Sequence, residues 1–136
     1  MSEIKIVIPG EPKAKARPRV TRKGIAYTPK KTLEYENWVK ECFVLCRHKK
    51  MLKGQIEAEI KAYFKIPKSA SKKKKTEMIK GKMRPTKKPD TDNVAKIILD
   101  SLNDLAYSDD KQVIKLIVEK FYSEEPRVEV VLREIS

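Results

Sequence analysis

Apolar and polar residues alternate in two stretches of the chain, and this alternation predicts two half-buried β-strands. The first strand runs through Ile4, Ile6 and Ile8 and ends at Pro9-Gly10. The second covers residues 55–66, where every second residue from Ile56 onward is apolar. Because successive side chains of a strand point to opposite faces, a period of two places one face of each strand in the core.

Two other stretches have the period of a helix. Thr28-Pro29 predicts an N-cap followed by the first helical residue, and the helix after it runs towards the basic residues at 47–50. A second helix is expected from about Asn93 to Tyr107. Its apolar residues recur at helical spacing: Val94, Ile97, Ile98, Leu102 and Leu105. A shorter helix is expected within Ser71 to Lys80.

The remaining elements complete an α+β domain. A weakly signalled hairpin is expected at residues 19–27, and two strand-like runs cover 113–121 and 128–135. Pro126 lies between these runs, which predicts that they pair as a hairpin. We therefore expect residues 1–136 to form one domain, a small mixed sheet with two main helices packed on one face.

Positive charge dominates this chain. The formal net charge is +13 and the pI about 9.7, which favours a polyanionic partner. An anionic membrane is the alternative, but no apolar run approaches the ~20 residues of a membrane span. The N-terminus lacks the apolar segment of a signal peptide, so we expect a cytoplasmic protein.

The excess of lysine and arginine is concentrated in residues 13–31 and 65–88. Such a run is often only a solvated surface, yet its concentration favours contact with a phosphate backbone. The aromatic residues look more suited to packing than to base stacking, which favours recognition of a duplex or branched DNA. We expect the insert at 67–89 to be mobile without a partner. The expected DNA-binding residues are Lys13, Lys15, Arg17, Arg19, Lys72, Lys73, Lys74, Lys75, Arg84, Lys87 and Lys88.

Two acidic clusters interrupt this basic chain. Asp90-Thr91-Asp92-Asn93 opens the second main helix, and Asp109-Asp110 follows its end. Aspartates among lysines repel phosphate unless a divalent metal mediates between them, so the pairing suggests metal-dependent chemistry on a nucleic-acid backbone. Each cluster also has a simpler interpretation, since Asp is common at helix N-caps and in turns.

Helical spacing sorts the polar residues of the second main helix. Asn93, Lys96, Asp100 and Asn103 recur at three or four residues and share one stripe. Asp92 precedes Lys96 by four residues, so the two could form an exposed ion pair or belong to one site. Strands flanking the helix could bring Asp90 and Asp110 to the same place.

Three segments of the chain together resemble one known family. Asp90-Thr91-Asp92-Asn93-Val94-Ala95-Lys96 is followed by Leu99-Asp100-Ser101-Leu102 and by Asp109-Asp110-Lys111-Gln112-Val113. In this order and spacing they resemble the RusA-type Holliday junction resolvases of phages and prophages. The N-terminal segments Gly10-Glu11-Pro12, Arg17-Pro18-Arg19 and Ala26-Tyr27-Thr28-Pro29 are similar to this family as well.

The resemblance implies a function and roles for individual residues. Asp90, Asp92 and Asp110 match the essential acids that bind Mg²⁺, for which Mn²⁺ is an expected substitute, and Lys96 matches the essential basic residue. Asp109 is expected as a further ligand or a supporting group, and Asp100 and Asn93 as supporting residues. The family acts as a homodimer on four-way DNA junctions and makes paired symmetric nicks. The lysine-rich insert departs from shorter family members and leaves substrate preference open.

Two other functions fit the same residues. One is a basic junction- or duplex-binding protein without catalysis, in which the aspartates only cap and turn. The other is an RNA-directed nuclease, since phosphate chemistry alone does not separate the two sugars.

Overall fold

The computed structural model of the chain describes residues 2–48 and 50–135. Within these residues the helices and strands follow one another along the chain. They are β1 (Glu3–Pro9), β2 (Arg19–Val20), β3 (Ala26–Tyr27), α1 (Lys30–Leu45), β4 (Ile56–Lys65), α2 (Lys72–Ile79), α3 (Thr91–Ser101), β5 (Val113–Ser123) and β6 (Arg127–Glu134).

Four of the strands form a mixed sheet in the order β1-β6-β4-β5. β4 pairs parallel with β5 and antiparallel with β6, and β6 pairs antiparallel with β1. A parallel pair needs a crossover connection, and the segment from α2 through α3 provides it between β4 and β5. The predicted α+β class is therefore confirmed, as is the small hairpin, which β2 and β3 form.

The predicted pairing of the last two strands is wrong. β5 and β6 are joined by a short turn, but β4 lies between them in the sheet. β4 carries apolar residues at every second position and takes the central place, where neighbours on both sides satisfy its backbone groups. Turn residues between two runs indicate a reversal of the chain, and they do not specify which strand becomes the neighbour.

The core lies between one face of this sheet and the two main helices. Ile56, Ile60 and Phe64 of β4 are buried, and the intervening residues of β4 are only half-buried or exposed. The alternating isoleucines of β1 are buried on the same side. Each fully buried side chain of this size contributes roughly 1.5–3 kcal/mol, so the predicted alternation is what fixes the sheet against α1 and α3.

The opposite face of the sheet is polar and has its charges paired. Arg133 of β6 bridges Glu3 of β1 and Glu57 of β4, at 3.0 and 3.2 Å. Lys115 of β5 extends the same row to Glu57 at 3.2 Å. Arg133 and Lys115 thus have partners within the sheet, in contrast to the lysines of α2.

Both main helices differ slightly from the predicted bounds. Pro29 is the N-cap residue of α1 and not its first helical residue, and no side chain caps that end. The second main helix ends at Ser101, well before Tyr107, because the chain turns at Asp104 with φ 65. Tyr107 is then fully buried, and its hydroxyl donates to the carbonyl of Leu99 at 2.6 Å.

The basic insert packs along the edge strand β5. The short helix expected within Ser71 to Lys80 is present as α2, and Ser71 caps it by accepting from the N–H of Lys74 at 3.3 Å. Arg84 forms an ion pair with Glu119 at 3.0 Å, and its guanidinium lies 4.2 Å from the centroid of the Phe121 ring. These contacts fix one point of the insert on the sheet; its mobility stays a prediction.

Candidate active site

The helix α3 presents an exposed polar face that carries several predicted site residues. Val94 and Ile97 are buried on one side, whereas Asp92 and Lys96 are exposed on the other. Asp90 occupies the N-cap position, but its side chain makes no capping hydrogen bond. The carboxylate of Asp90 is therefore not engaged as the simple cap that its position would suggest.

The second acidic cluster lies in a tight turn before β5. Residues 110–112 form a single 3₁₀ turn, and the carboxylate of Asp109 accepts from the N–H of Lys111 at 2.9 Å. The side-chain oxygen of Gln112 accepts from the N–H of Asp109 at 3.1 Å, and its amide nitrogen donates to the carbonyl of Gly54 at 3.2 Å. Asp109 is thus a cap, as the simpler interpretation had it, and Gln112 ties the turn to the loop before β4.

Asp110 lies next to two other carboxylates. Burial is the main cause that raises the pKa of Asp110, and the carboxylates of Asp109 and Asp100 raise it further. The pKa of Asp109 is lowered, first by the N–H of Lys111. Asp109 and Asp110 of the turn and Asp100 of α3 are therefore neighbours, and the pKa of Asp110 is raised whereas that of Asp109 is lowered. Repulsion of this kind is what a divalent cation relieves.

Asn103 fixes the backbone of this cluster. Its side-chain oxygen accepts from the N–H of Asp110 at 2.8 Å. Asn103 comes from the end of the predicted polar stripe of α3, so one hydrogen bond joins the stripe to the Asp109-Asp110 turn. The sequence pattern placed Asn103 on the stripe but gave no indication of this partner.

Lys15 reaches the cluster from the N-terminal segment. Its ammonium donates to the Asp100 carboxylate at 2.8 Å and lies 3.5 Å from Glu36 of α1. The hydrogen bond to Asp100 raises the pKa of Lys15 more than burial lowers it. Lys15 was predicted to contact DNA, and in the structure it joins the basic segment to α1 and α3. Because Lys15 and Asp100 are 85 residues apart along the chain, the sequence gave no indication of this contact.

The two acidic clusters lie towards opposite ends of α3. Asp92 and Asp100 are eight residues apart, which corresponds to about 12 Å along a helix. The two clusters were expected to approach each other through paired strands, and this does not occur. The strand beside β5 is β4, whereas a loop with a cis Lys88–Pro89 bond leads into Asp90. Asp90 instead lines a cleft of about 390 Å³ together with Asn93 and Lys88.

The acids suit a hard divalent cation, although they do not form a complete cage. Among residues 2–48 and 50–135, no three carboxylate, thiol or imidazole side chains are grouped so that they could hold an ion. Mg²⁺ usually binds through one or two carboxylates and completes its shell with water and substrate phosphate. The mutual repulsion around Asp110 therefore fits such an ion with an incomplete protein shell.

The predicted DNA-binding residues occupy two surfaces. Lys13, Arg17 and Arg19 are exposed on the N-terminal segment, and most lysines of α2 are exposed on the insert. Lys72, Lys73 and Lys74 are exposed, Lys75 is half-buried, and Lys87 and Lys88 are exposed beyond the helix. Arg84 and Lys15 are exceptions, because Glu119 neutralises the charge of Arg84 and Asp100 that of Lys15. Within the described part of the chain, no helix has the length and apolar character needed to cross a bilayer.

Comparison with known proteins agrees with this arrangement of motifs. Residues 9–133 match the family model described as endodeoxyribonuclease RusA. The chain is also 45% identical, over 141 aligned residues, to YqaN of Bacillus subtilis (strain 168), a protein whose name describes it as uncharacterized. The alignment covers all of this chain and 99% of that relative. The chain belongs to the RusA family of endodeoxyribonucleases.

Proposed function

We propose that this protein resolves four-way DNA junctions by Mg²⁺-dependent hydrolysis of paired, symmetric phosphodiesters, in DNA recombination and repair. The observation that carries the proposal is the cluster of Asp110, Asp109 and Asp100 at the end of α3, where burial and neighbouring carboxylates raise the pKa of Asp110. A turn capped by Asp109 does not need two further carboxylates beside it, that of Asp110 in the turn and that of Asp100 on α3. In a family of endodeoxyribonucleases, this excess of carboxylates supports a site for an ion that takes only one or two of them as ligands.

Asp110 is the proposed principal ligand at this end of α3, with Asp109 beside it. When bound, the ion supplies Lewis-acid polarisation of the scissile phosphate and a more acidic water. Asp90 and Asp92 complete the proposed catalytic set from the other end of α3. Since Mg²⁺ takes few protein ligands, these acids need not all share one ion.

Lys96 is the proposed group that stabilises negative charge on the phosphate in the transition state. It is exposed between Asp92 and Asp100, one helical turn from each, and within the described residues it forms no ion pair with either. An ammonium without a partner is available to a phosphate oxygen, and a preorganised charge of this kind contributes most where negative charge develops.

Asn93 and Asp100 have proposed supporting roles. Asp100 accepts from Lys15 and thereby holds the N-terminal segment against α3. Asn93 lies one turn from Lys96 and lines the cleft that contains Asp90. The lysines of α2 and of residues 87–88 are proposed to contact the DNA backbone, because they have no acidic partners among the described residues and Lys88 lines the cleft that contains Asp90.

The two sites of a homodimer would suit the two-fold symmetry of a junction. A dimer with a two-fold axis presents identical sites to two symmetry-related strands, which accounts for paired nicks. Dimerisation is proposed from family membership, and it is the feature that distinguishes a resolvase from a nuclease that nicks one strand.

The proposal is tested by measuring junction cleavage by the variant Asp110→Asn beside a control variant, Asp104→Asn. The variant keeps the size of the side chain and removes its charge, so we expect cleavage of a synthetic four-way junction in Mg²⁺ to fall at least about a hundredfold. Junction binding measured without Mg²⁺ should not weaken. Asp104→Asn is the control, because Asp104 is exposed with φ 65, a conformation that asparagine accepts well.

Two results of this comparison contradict the proposal. One is cleavage by Asp110→Asn at the wild-type rate, which would leave the carboxylate without a catalytic role. The other is an equal loss in Asp104→Asn, which would indicate a general effect of the substitution. A wild-type protein that binds junctions and never nicks them would instead support the non-catalytic alternative.

A further inference from the structure

A cationic cleft with an aromatic wall lies beside the acidic cluster, on the other side of the N-terminal segment. It has a volume of about 850 Å³ and is formed by the N-terminal half of α1 and by residues of the segment from Lys13 to Arg19. Lys15 separates it from the cluster: Ala14 and Ala16 line the cleft, whereas the ammonium of Lys15 binds Asp100. We propose that this cleft binds one unpaired nucleotide of the DNA substrate, with its base against Trp38 and its phosphate at the start of α1.

The charge of the lining indicates an anionic ligand. Four cations, Lys13, Arg19, Lys30 and Lys31, face one acid, Glu34. Lys30 is 3.9 Å from Glu34, at the outer limit of an ion pair, and both side chains are largely exposed. The cleft therefore keeps an excess of positive charge that a phosphate group would balance.

The start of α1 adds a second reason for an anion at this position. No side chain caps this end, and the first turn contains no acid but has two lysines. Lysine is unfavourable at the positive end of a helix dipole unless an anion lies nearby. Unpaired backbone N–H groups at a helix N-terminus are also suited to binding phosphate. The cations of the lining and the start of α1 are thus both suited to a phosphate group.

Trp38 provides a flat surface in the same cleft. Its side chain is 36% exposed, and its indole N–H donates to the carbonyl of Pro9 at 2.8 Å. This hydrogen bond occupies the edge of the ring and fixes its orientation, so the exposed part of the ring is held ready for contact. Base–aromatic stacking contributes about 1–3 kcal/mol per base and tolerates any base.

The segment that separates the cleft from the acids is held against both main helices. The N–H of Ala16 donates to Thr32 of α1 at 3.2 Å, and Lys15 binds Asp100 at 2.8 Å. Lys13 and Ala14 also line the smaller cleft that contains Asp90. A strand that passes from one cleft to the other would therefore cross the segment between Trp38 and Asp90.

The ligand follows from the combination of these features. A free phosphate ion would use the cations but not the aromatic wall, and a closed duplex hides its bases from Trp38. An unstacked nucleotide uses both, and a branched junction offers nucleotides at its crossover that unstack more easily than those of a duplex. This inference rests on the proposed function, since the substrate is taken to be DNA.

Fluorescence of Trp38 tests the inference directly, because Trp38 is the only tryptophan of the chain. A short end-labelled oligothymidylate is titrated into the full-length protein in the absence of Mg²⁺, and its anisotropy reports binding independently. We expect Trp38 emission to be quenched in parallel with binding. An abasic oligomer of equal length should bind through its phosphates and leave the emission unchanged.

Several results would overturn the inference. They are an unchanged emission while anisotropy shows the oligothymidylate bound, equal quenching by the abasic oligomer, and equal quenching by free thymidine monophosphate at the same nucleotide concentration. The last result would indicate a site for free nucleotides. Quenching by the oligothymidylate alone supports a site for a nucleotide within a strand.

Substitutions separate stacking from folding. Trp38→Ala and Trp38→Phe both remove the hydrogen bond to Pro9, but only phenylalanine keeps an aromatic face. We expect affinity for the oligothymidylate to fall on the order of tenfold in Trp38→Ala and clearly less in Trp38→Phe. Equal losses in the two variants would contradict stacking.

A pair of lysines on α1 tests the phosphate contact. Lys31 lines the cleft and Lys40, on the same helix, does not. Lys31→Gln should weaken oligonucleotide binding several-fold more than Lys40→Gln, and equal effects would contradict a phosphate at this end of α1.

Junction cleavage is assayed separately. Cleavage without quenching rejects only the cleft, whereas quenching without cleavage rejects the proposed nuclease function and leaves the cleft supported.

Discussion

At the scale of single residues, Asp110 determines how the site responds to pH. Its pKa is raised in the folded protein, mainly by burial and then by Asp109 and Asp100, so the folded chain keeps this proton to a higher pH than the unfolded chain does. Below the ordinary aspartate pKa of about 3.9 both folded and unfolded chains are protonated. As the pH rises through the raised value, the folded chain acquires an unfavourable charge and loses stability.

Asp110→Asn should therefore stabilise the metal-free protein at neutral pH. The asparagine removes the repulsion, so its melting temperature should exceed that of the wild type, and the difference should shrink as the pH approaches about 4. Thermal unfolding in the presence of a chelator measures this. A variant that is less stable than the wild type at neutral pH would contradict the assigned repulsion.

Gln112 is the residue that the sequence motif contained and for which no role had been predicted. It accepts from the N–H groups of Ser108 and Asp109 and donates to the carbonyl of Gly54. The contacts near Asp109 form a capping box, which the spacing of Asp109 and Gln112 does indicate. The contact with Gly54 joins positions 58 residues apart, so spacing within the motif could not indicate it. Lys15 and Asp100 illustrate the same limit at greater separation.

Gln112→Leu should loosen the acidic turn. Loss of these hydrogen bonds is expected to lower the free energy of unfolding by about 1–2 kcal/mol and to reduce cleavage with it. Urea denaturation measures the first effect. Lys111→Ala is the control, because only the backbone N–H of Lys111 holds Asp109, and it should change stability by less than about 0.5 kcal/mol. Equal stability of Gln112→Leu and wild type would contradict the role of Gln112.

At the scale of elements, the amphipathic patterns correctly predicted which face of a strand or helix is buried. The alternation in β4 and the stripe of α3 are direct consequences of burying one face, and both occur where the sequence indicated. The end of α3 was missed because the apolar spacing continues to Leu105, although Asp104 turns the chain with a positive φ. The exposure of Trp38 was also missed, since an aromatic residue on an amphipathic helix is usually expected to pack in the core.

The helix α2 is the element expected to hold the DNA backbone. Lys72, Lys73, Lys74 and Lys75 have no acidic partner among the described residues, whereas Lys5, Lys61 and Lys115 on the outer sheet are paired. Replacing all four α2 lysines by glutamine should weaken junction binding. The slope of log affinity against log salt should become shallower by about 0.9 for each lysine that contacts a phosphate of duplex DNA.

The paired lysines give the control for this measurement. A variant with glutamine at Lys5, Lys61 and Lys115 removes three charges from the outer sheet face and should leave the salt slope almost unchanged. An equal change per lysine in both variants would show that net charge alone matters, and it would contradict a specific contact by α2.

At the scale of the whole molecule, the strand order depends on information that no single segment contains. The runs that became β5 and β6 each have the residues of a strand, and a short turn joins them, so a hairpin was the simplest expectation. The observed order β1-β6-β4-β5 places the most regular apolar strand next to two partners. The strand order depends on which strand takes the centre of the sheet, and the residue pattern of a single strand does not indicate this.

Assembly is the second property at this scale. The proposed paired nicks require two active sites, so sedimentation equilibrium should give twice the 15.8 kDa mass of the chain at micromolar concentration. A single-chain mass that persists both with and without a four-way junction would contradict the homodimer.

Mg²⁺-dependent cleavage of branched DNA can be tested with the wild-type protein by comparing four substrates. A synthetic four-way junction, a plain duplex, a single strand and an RNA hairpin are incubated with and without Mg²⁺, and the products are resolved on a denaturing gel. We expect symmetric nicks in opposite strands of the junction only when Mg²⁺ is present. Absence of nicks in every substrate, or equal cleavage of the duplex or the RNA hairpin, would contradict it.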